Sequence, residues 1–191
     1  MKIGPVSLLF SSVLLFCPFL SAQQAAGVPN FHQVNPNVYR GAQPTEQGFQ
    51  SLASLGVKTI IDLRGGGGRS HNEQKVVEAA GMHYIAMPLS GHSAPSDEQV
   101  SKLLTLLNDS SSGPVFVHCR RGADRTGTII ACYRISHDHW DNAKALSEAA
   151  EDGMSRLEFA MKHYVKNFAP SPAAVAPPAA FTAVPAVVVA R

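Results

Sequence analysis

Three short apolar runs, "VKTIIDLR", "MHYIAMPL" and "GPVFVHC", each follow a stretch of helical spacing, and this alternation restricts the chain more than any other feature. "TEQGFQSLASLG" opens on a Thr cap and closes on Gly56, and "NEQKVVEAAG" closes on Gly81. "SDEQVSKLLTLLND" puts Val100, Leu103, Leu104 and Leu107 on one helical face behind a Ser96 cap. With the short strand "NVYRG" in front, the pattern predicts an α/β fold: one domain, with a mostly parallel four- to five-stranded sheet flanked by helices. Helices at about 125–137, 141–151 and 155–168 would cover one side of the sheet. Ligands in such folds sit at the carboxyl ends of the strands.

The two ends of the chain stand apart from this pattern. Lys2, the apolar run Ile3–Leu20 and the small residues after it predict a secretory signal peptide over 1–22, hence an exported, periplasmic or secreted protein. An uncleaved membrane anchor is the alternative, since about 18 apolar residues just span a bilayer. Residues 169–191 are nearly all Ala, Pro and Val and predict a disordered tail, leaving 23–168 as the domain. A net charge of +2, from 16 Lys+Arg against 14 Asp+Glu, argues against a nucleic-acid partner. A basic site must therefore be local, and a monomer is expected.

The third run ends in "HCRRGADRTG", which places Cys119 six positions ahead of Arg125. A strand, a six-residue loop and a helix beginning near Arg125 would aim unpaired N–H groups and a partial positive charge at one point. Gly122 lets the loop curl into an anion nest, and Arg125 adds a two-pronged donor for phosphate oxygens. The same field would favour the thiolate of Cys119, a nucleophile able to attack phosphorus in line. Thr126 is placed to bond the sulfur, and His118 to orient the loop from the strand side. Cys132 falls about 10 Å along the helix beyond Arg125, too far for a disulfide to Cys119. Two free thiols are expected.

His118-Cys119-x5-Arg125-Thr126 resembles the signature of the cysteine-based protein tyrosine phosphatases, and 28–168 is similar to their compact dual-specificity members. "VYRGAQPTEQGFQSLASLGVKTIIDLR" resembles the opening of the atypical dual-specificity phosphatases. The resemblance implies a phosphatase-like fold with no cofactor and no metal. It implies Cys119 as nucleophile, and phosphate binding by Arg125 and the loop Arg120, Arg121, Gly122, Ala123 and Asp124. Thr126 and His118 are the other expected substrate-side residues. Partners would be a phosphorylated protein, small molecule or lipid.

Most of that family take a general acid from an Asp on the loop before the third helix, which here reads "PLSGHSAPSDEQV". Its Asp97 sits at a helix start, where capping is the plain explanation. Asp124, inside the signature, is the other candidate acid, with a loop-pinning role as its alternative. Arg64 and Arg69, around the four glycines, could meet further phosphates or belong to a turn. "HDHW" lacks a third metal ligand at helical spacing. A rhodanese-type sulfurtransferase and a catalytically silent phosphate-binding module are the rival functions.

Overall fold

The computed structural model describes residues 24–65 and 68–170; the expected signal peptide and all but the first two residues of the expected tail lie outside them. Among the described residues, no helix is long and apolar enough to cross a membrane. Five strands among the described residues form one sheet: β1 (His32–Asn35), β2 (Val38–Ala42), β3 (Thr59–Asp62), β4 (His83–Ala86) and β5 (Val115–Cys119). Their spatial order is β1-β2-β5-β3-β4. Only the β1–β2 pair is antiparallel; β5 runs parallel to β2 on one side and to β3 on the other.

Six α-helices among the described residues cover the sheet: α1 (Glu46–Ser54), α2 (Gly68–Ala79), α3 (Asp97–Asn108), α4 (Asp124–His137), α5 (Asn142–Glu151) and α6 (Phe159–Asn167). The period of two along each strand divides the core into two layers. Tyr39, Ile60 and Phe116 pack with Phe49 and Leu52 of α1 and Val77 of α2. Val38, Ile61, Val115 and Val117 face the other way, onto α3, α4, α5 and α6. The α/β architecture is the one the alternation predicts.

Helix starts follow the cap residues. Thr45 accepts from the Gly48 amide, and Ser96 and Gln99 form a reciprocal capping box at the head of α3. Gly56, at φ +88, ends the first helical stretch in the left-handed region that its lack of a side chain permits. Three elements depart from the sequence reading. β1 was not expected: "HQVN" is polar, half exposed at the sheet edge and irregular between Gln33 and Asn35, so no alternation marks it. α2 begins at Gly68, inside the glycine run, instead of at Asn72. α6 begins at Phe159, not Ser155, because the Ser155 amide is drawn to Asp124 and the next residues close a turn, Glu158 N–H to Ser155 O at 3.2 Å.

Candidate active site

β5 lies at the centre of the sheet, so its carboxyl end is walled by the ends of β2 and β3, and Cys119 is its last residue. Cys119 is 2% exposed. Beyond it the chain turns through Arg120–Ala123 into α4, whose first residue is Asp124. Gly122 has φ +68, and a Cβ built there would stand 2.3 Å from the carbonyl carbon of Gly41. A side chain would therefore push the loop off β2, and glycine is required twice over.

The N-terminus of α4 has no side-chain cap. Among the described residues, no protein oxygen accepts from the amides of Arg120 to Thr126. Those donors converge with the positive end of a 14-residue helix, which is an anion site by construction. Arg125, half-buried, is steadied by a 3.3 Å bond from Nη1 to the Leu63 carbonyl at the end of β3. Arg120 and Arg121 are exposed at the rim.

Burial pushes the Cys119 thiol up, but the Thr126 hydroxyl and amide, the Arg125 charge and the Arg121 amide together bring it below its ordinary value. The Thr126 hydroxyl is fully buried and has no hydrogen-bond partner, so it is free to serve the thiolate that it favours. Cys132 behaves oppositely: burial pushes its thiol up, and Asp97 adds to the effect. Cys119 and Cys132 are both free, as their spacing predicts.

His118 points away from this pocket. It shares a face with Phe116, on which its ring stacks at 5.6 Å, and its Nε2 lies 2.8 Å from Glu73 Oε1. It belongs under the loop rather than among the phosphate contacts, a consequence of strand alternation between neighbours. Glu73 also pairs with Arg64, which bonds Asp62 at 2.7 Å and 2.8 Å and reaches the Gln43 side chain. Arg64 is thus held in a buried network, not offered to substrate. Asp62, Glu73 and His118 place one ligand atom each within 4.8 Å of one another. The Arg64 guanidinium already supplies the cation that two buried carboxylates require, so this cluster does not suit a metal.

The candidate acids are also in use. Asp124 Oδ2 pairs with Arg121, and its Oδ1 accepts from the Ser155 amide at 2.8 Å. Such contacts hold the carboxylate in place, which is the loop-pinning alternative. Asp97 accepts from the Tyr164 hydroxyl at 2.8 Å, on the side of α4 that carries Cys132. Three residues that no sequence motif marks stand behind the loop: Asn30, Arg40 and Asp152. Arg40 had one visible signal, a charge at a strand position that the alternation assigns to the apolar face.

Comparison with known proteins agrees with this geometry. Residues 21–167 match the family described as "PTP-NADK: DSP-PTPase phosphatase fused to NAD+ Kinase". The dual specificity protein phosphatase TpbA of Pseudomonas aeruginosa is 32% identical over 124 residues, which cover 65% of this chain and 55% of the relative. The chain thus spans about half the length of that curated relative. The inositol diphosphatase DSP3 of Arabidopsis thaliana is 29% identical, over 55% of this chain and 53% of the relative. The crystal structure of P. aeruginosa TpbA superposes with a TM-score of 0.64 at 27% identity, covering 74% of this chain and 86% of that one. The catalytic core of the PP-IP phosphatase SIW14 from S. cerevisiae shares the fold, with a TM-score of 0.70 at 22% identity over 78% of this chain and 91% of that one. With a thiol at the tip of the central strand, an uncapped helix facing it and a family match over most of its length, the chain belongs to the cysteine-based protein tyrosine phosphatase superfamily, among its dual-specificity phosphatases.

Proposed function

We propose that this protein is a phosphatase that hydrolyses phosphomonoesters through a cysteinyl-phosphate on Cys119. The observation that carries the reading is a thiol held below its ordinary value at the mouth of an uncapped helix, with Arg125 beside it. The loop amides and Arg125 would hold the three non-bridging oxygens of the phosphate. The Cys119 thiolate then forms an S–P bond as the P–O bond to the leaving group breaks. Water next adds to phosphorus, its proton passing to phosphate or solvent, and the S–P bond breaks to restore the thiolate. Thr126, whose buried hydroxyl is free to donate to the sulfur, assists that second departure.

The engaged carboxylates bear on the substrate. With Asp124, Asp97, Asp62 and Glu73 all paired, the site favours leaving groups that depart with little help from a proton donor. A phenol, with a pKa of about 10, leaves far more readily than an aliphatic alcohol. Phosphotyrosine is therefore the first substrate we infer, and a structure of P. aeruginosa TpbA holding pTyr supports the choice. A phosphoanhydride, the bond that the name of the inositol diphosphatase relative implies, meets the same requirement and is the second reading. Export follows from the apolar run Ile3–Leu20, and N-terminal sequencing of the mature protein tests it.

The deciding experiment is turnover by the purified protein across phosphotyrosine, phosphoserine and phosphothreonine peptides, phosphoinositide vesicles and inositol diphosphates. Preference for the phosphotyrosine peptide supports the first reading. Preference for inositol diphosphates supports the second, and no turnover of any phosphate ends both. Thiosulfate as sulfur donor tests the sulfurtransferase alternative in the same preparation.

A further inference from the structure

The α4-facing positions of the central strands are uncharged except one. Val38 on β2, Ile61 on β3, and Val115 and Val117 on β5 are hydrophobic, while Arg40, paired in register with Val117, is an arginine only 1% exposed. A fully buried guanidinium is costly unless it is paired, and this one is only partly satisfied. Its Nη1 donates to Asp152 Oδ2 at 2.6 Å, its Nη2 to the Gly122 carbonyl, and its Nε to nothing. Glu148 and Arg134 are the next charges facing it from α5 and α4, and Cys119 faces it from β5.

The Gly122 contact is one of a set on consecutive loop carbonyls. The Arg120 carbonyl accepts from the Gln43 amide at 3.4 Å. The Arg121 carbonyl accepts from Asn30 Nδ2 at 3.3 Å, and the Gly122 carbonyl from the same amide group at 3.2 Å as well as from Arg40. Asn30 is itself fixed by the Asp152 carbonyl at 3.0 Å, and it has φ 51. Three successive carbonyls are thus drawn to the outside of the curl. In a nest, carbonyls held outward are what leave the N–H groups facing inward.

We propose that Arg40, seated by Asp152 and aided by Asn30, is the positioning residue of the signature loop, holding its carbonyls outward so that its amides face the bound anion. The inference uses the phosphatase reading only to say which anion is bound. Arg40 acts through the loop, and its charge, on the same sheet face as Cys119, adds to the field that favours the thiolate.

Two measurements on the full chain read this without turnover: the pH dependence of Cys119 alkylation by iodoacetamide, and protection of Cys119 by inorganic phosphate. Arg40→Met is expected to move the alkylation titration up by about one pH unit and to weaken phosphate protection about tenfold. Arg40→Lys should restore much of the titration but not the protection, since a point charge cannot serve both Asp152 and the Gly122 carbonyl. A purely structural role would lower the melting temperature and leave both readouts of the folded protein unchanged. Folded Arg40→Met with wild-type titration and wild-type protection overturns the proposal. If Arg40→Met does not fold, Asn30→Gly decides, because glycine keeps the positive φ and removes only the amide. It should weaken phosphate protection about threefold, and unchanged protection overturns the proposal. Failure of the phosphatase reading would appear separately, as wild-type protein that is alkylated and protected as described but turns over no phosphate ester.

Discussion

Asp124, the first residue of α4, and Ser155, in the turn between α5 and α6, are joined by one hydrogen bond: the Ser155 amide donates to Asp124 Oδ1 at 2.8 Å. The other Asp124 oxygen takes the Arg121 guanidinium. The carboxylate therefore fastens the signature loop to the turn between α5 and α6. Asp124→Asn keeps an acceptor for Ser155 and loses the ion pair, so it should slow an aryl phosphate and an alkyl phosphate by similar, modest factors. The alkaline limb of the pH–rate profile should persist. Asp124→Ala should in addition destabilise the fold by about 1 kcal/mol, through the amide left unpaired. Selective loss of alkyl phosphate turnover in Asp124→Asn would instead identify Asp124 as the proton donor.

Cys119→Ser should abolish turnover while retaining phosphate binding, because the amides and Arg125 that hold the anion are untouched. Equilibrium dialysis against inorganic phosphate, beside a turnover assay, separates the two effects. Arg125→Lys should lose most of both, since an ammonium lacks the planar two-pronged geometry with which the guanidinium can bond the Leu63 carbonyl and grip two phosphate oxygens at once.

Thr126→Val is a sharper probe of the second step. The Thr126 hydroxyl is fully buried without a hydrogen-bond partner, so its removal should cost no more than about 1 kcal/mol of stability. The thiol should titrate higher, and the cysteinyl-phosphate should accumulate as a pre-steady-state burst. Absence of a burst at wild-type turnover would show that Thr126 does not assist departure of the sulfur.

Asp62 gives the fold a predictable acid sensitivity. Burial pushes its carboxyl up, yet Arg64, His118 and Tyr84 more than reverse this and hold it at about 2. A carboxyl held below its unfolded value stabilises the fold above that value, near pH 4, and the contribution fades as pH falls toward 2. The shift corresponds to about 2 kcal/mol. Asp62→Asn should lower the melting temperature at neutral pH and flatten its decline between pH 4 and 2; parallel curves for the two proteins would refute the assignment.

The two thiols should differ in reactivity. Cys132 is fully buried and its thiol is pushed up, so in native protein iodoacetamide and mild peroxide should reach Cys119 first. Peroxide inactivation should reverse with a thiol reductant. Peptide mapping that finds a Cys119–Cys132 bridge in the folded state would contradict the geometry.

Local rules carried a large part of the fold and a smaller part of the site. Ser96 and Thr45 announced helices because a cap is a short-range hydrogen bond, and Cys119 to Arg125 announced a nest because strand, loop and helix are contiguous. His118 was placed on the substrate side although strand alternation turns it from Cys119 toward Glu73. Asn30, Arg40 and Asp152 could not be read together, because Asn30 meets Gly122 across 92 positions and Arg40 meets Asp152 across 112. Only the pairing of β2 with β5 brings these groups to one place. β1 stayed hidden for a different reason: an edge strand exposed to water needs no apolar face.

The central position of β5 also sets when the chemistry can begin. β5 is made last of the five strands and must slot between β2 and β3, both already synthesised and both far behind it along the chain. Long-range parallel pairing of this kind is slow compared with forming a helix. Until it occurs there is no wall behind Gly122 and no Arg40 beneath the loop, and Cys119 is a thiol with a pKa of about 8.5. A chain that has not yet folded is therefore chemically quiet, and its nucleophile is switched on by the act of closing the sheet.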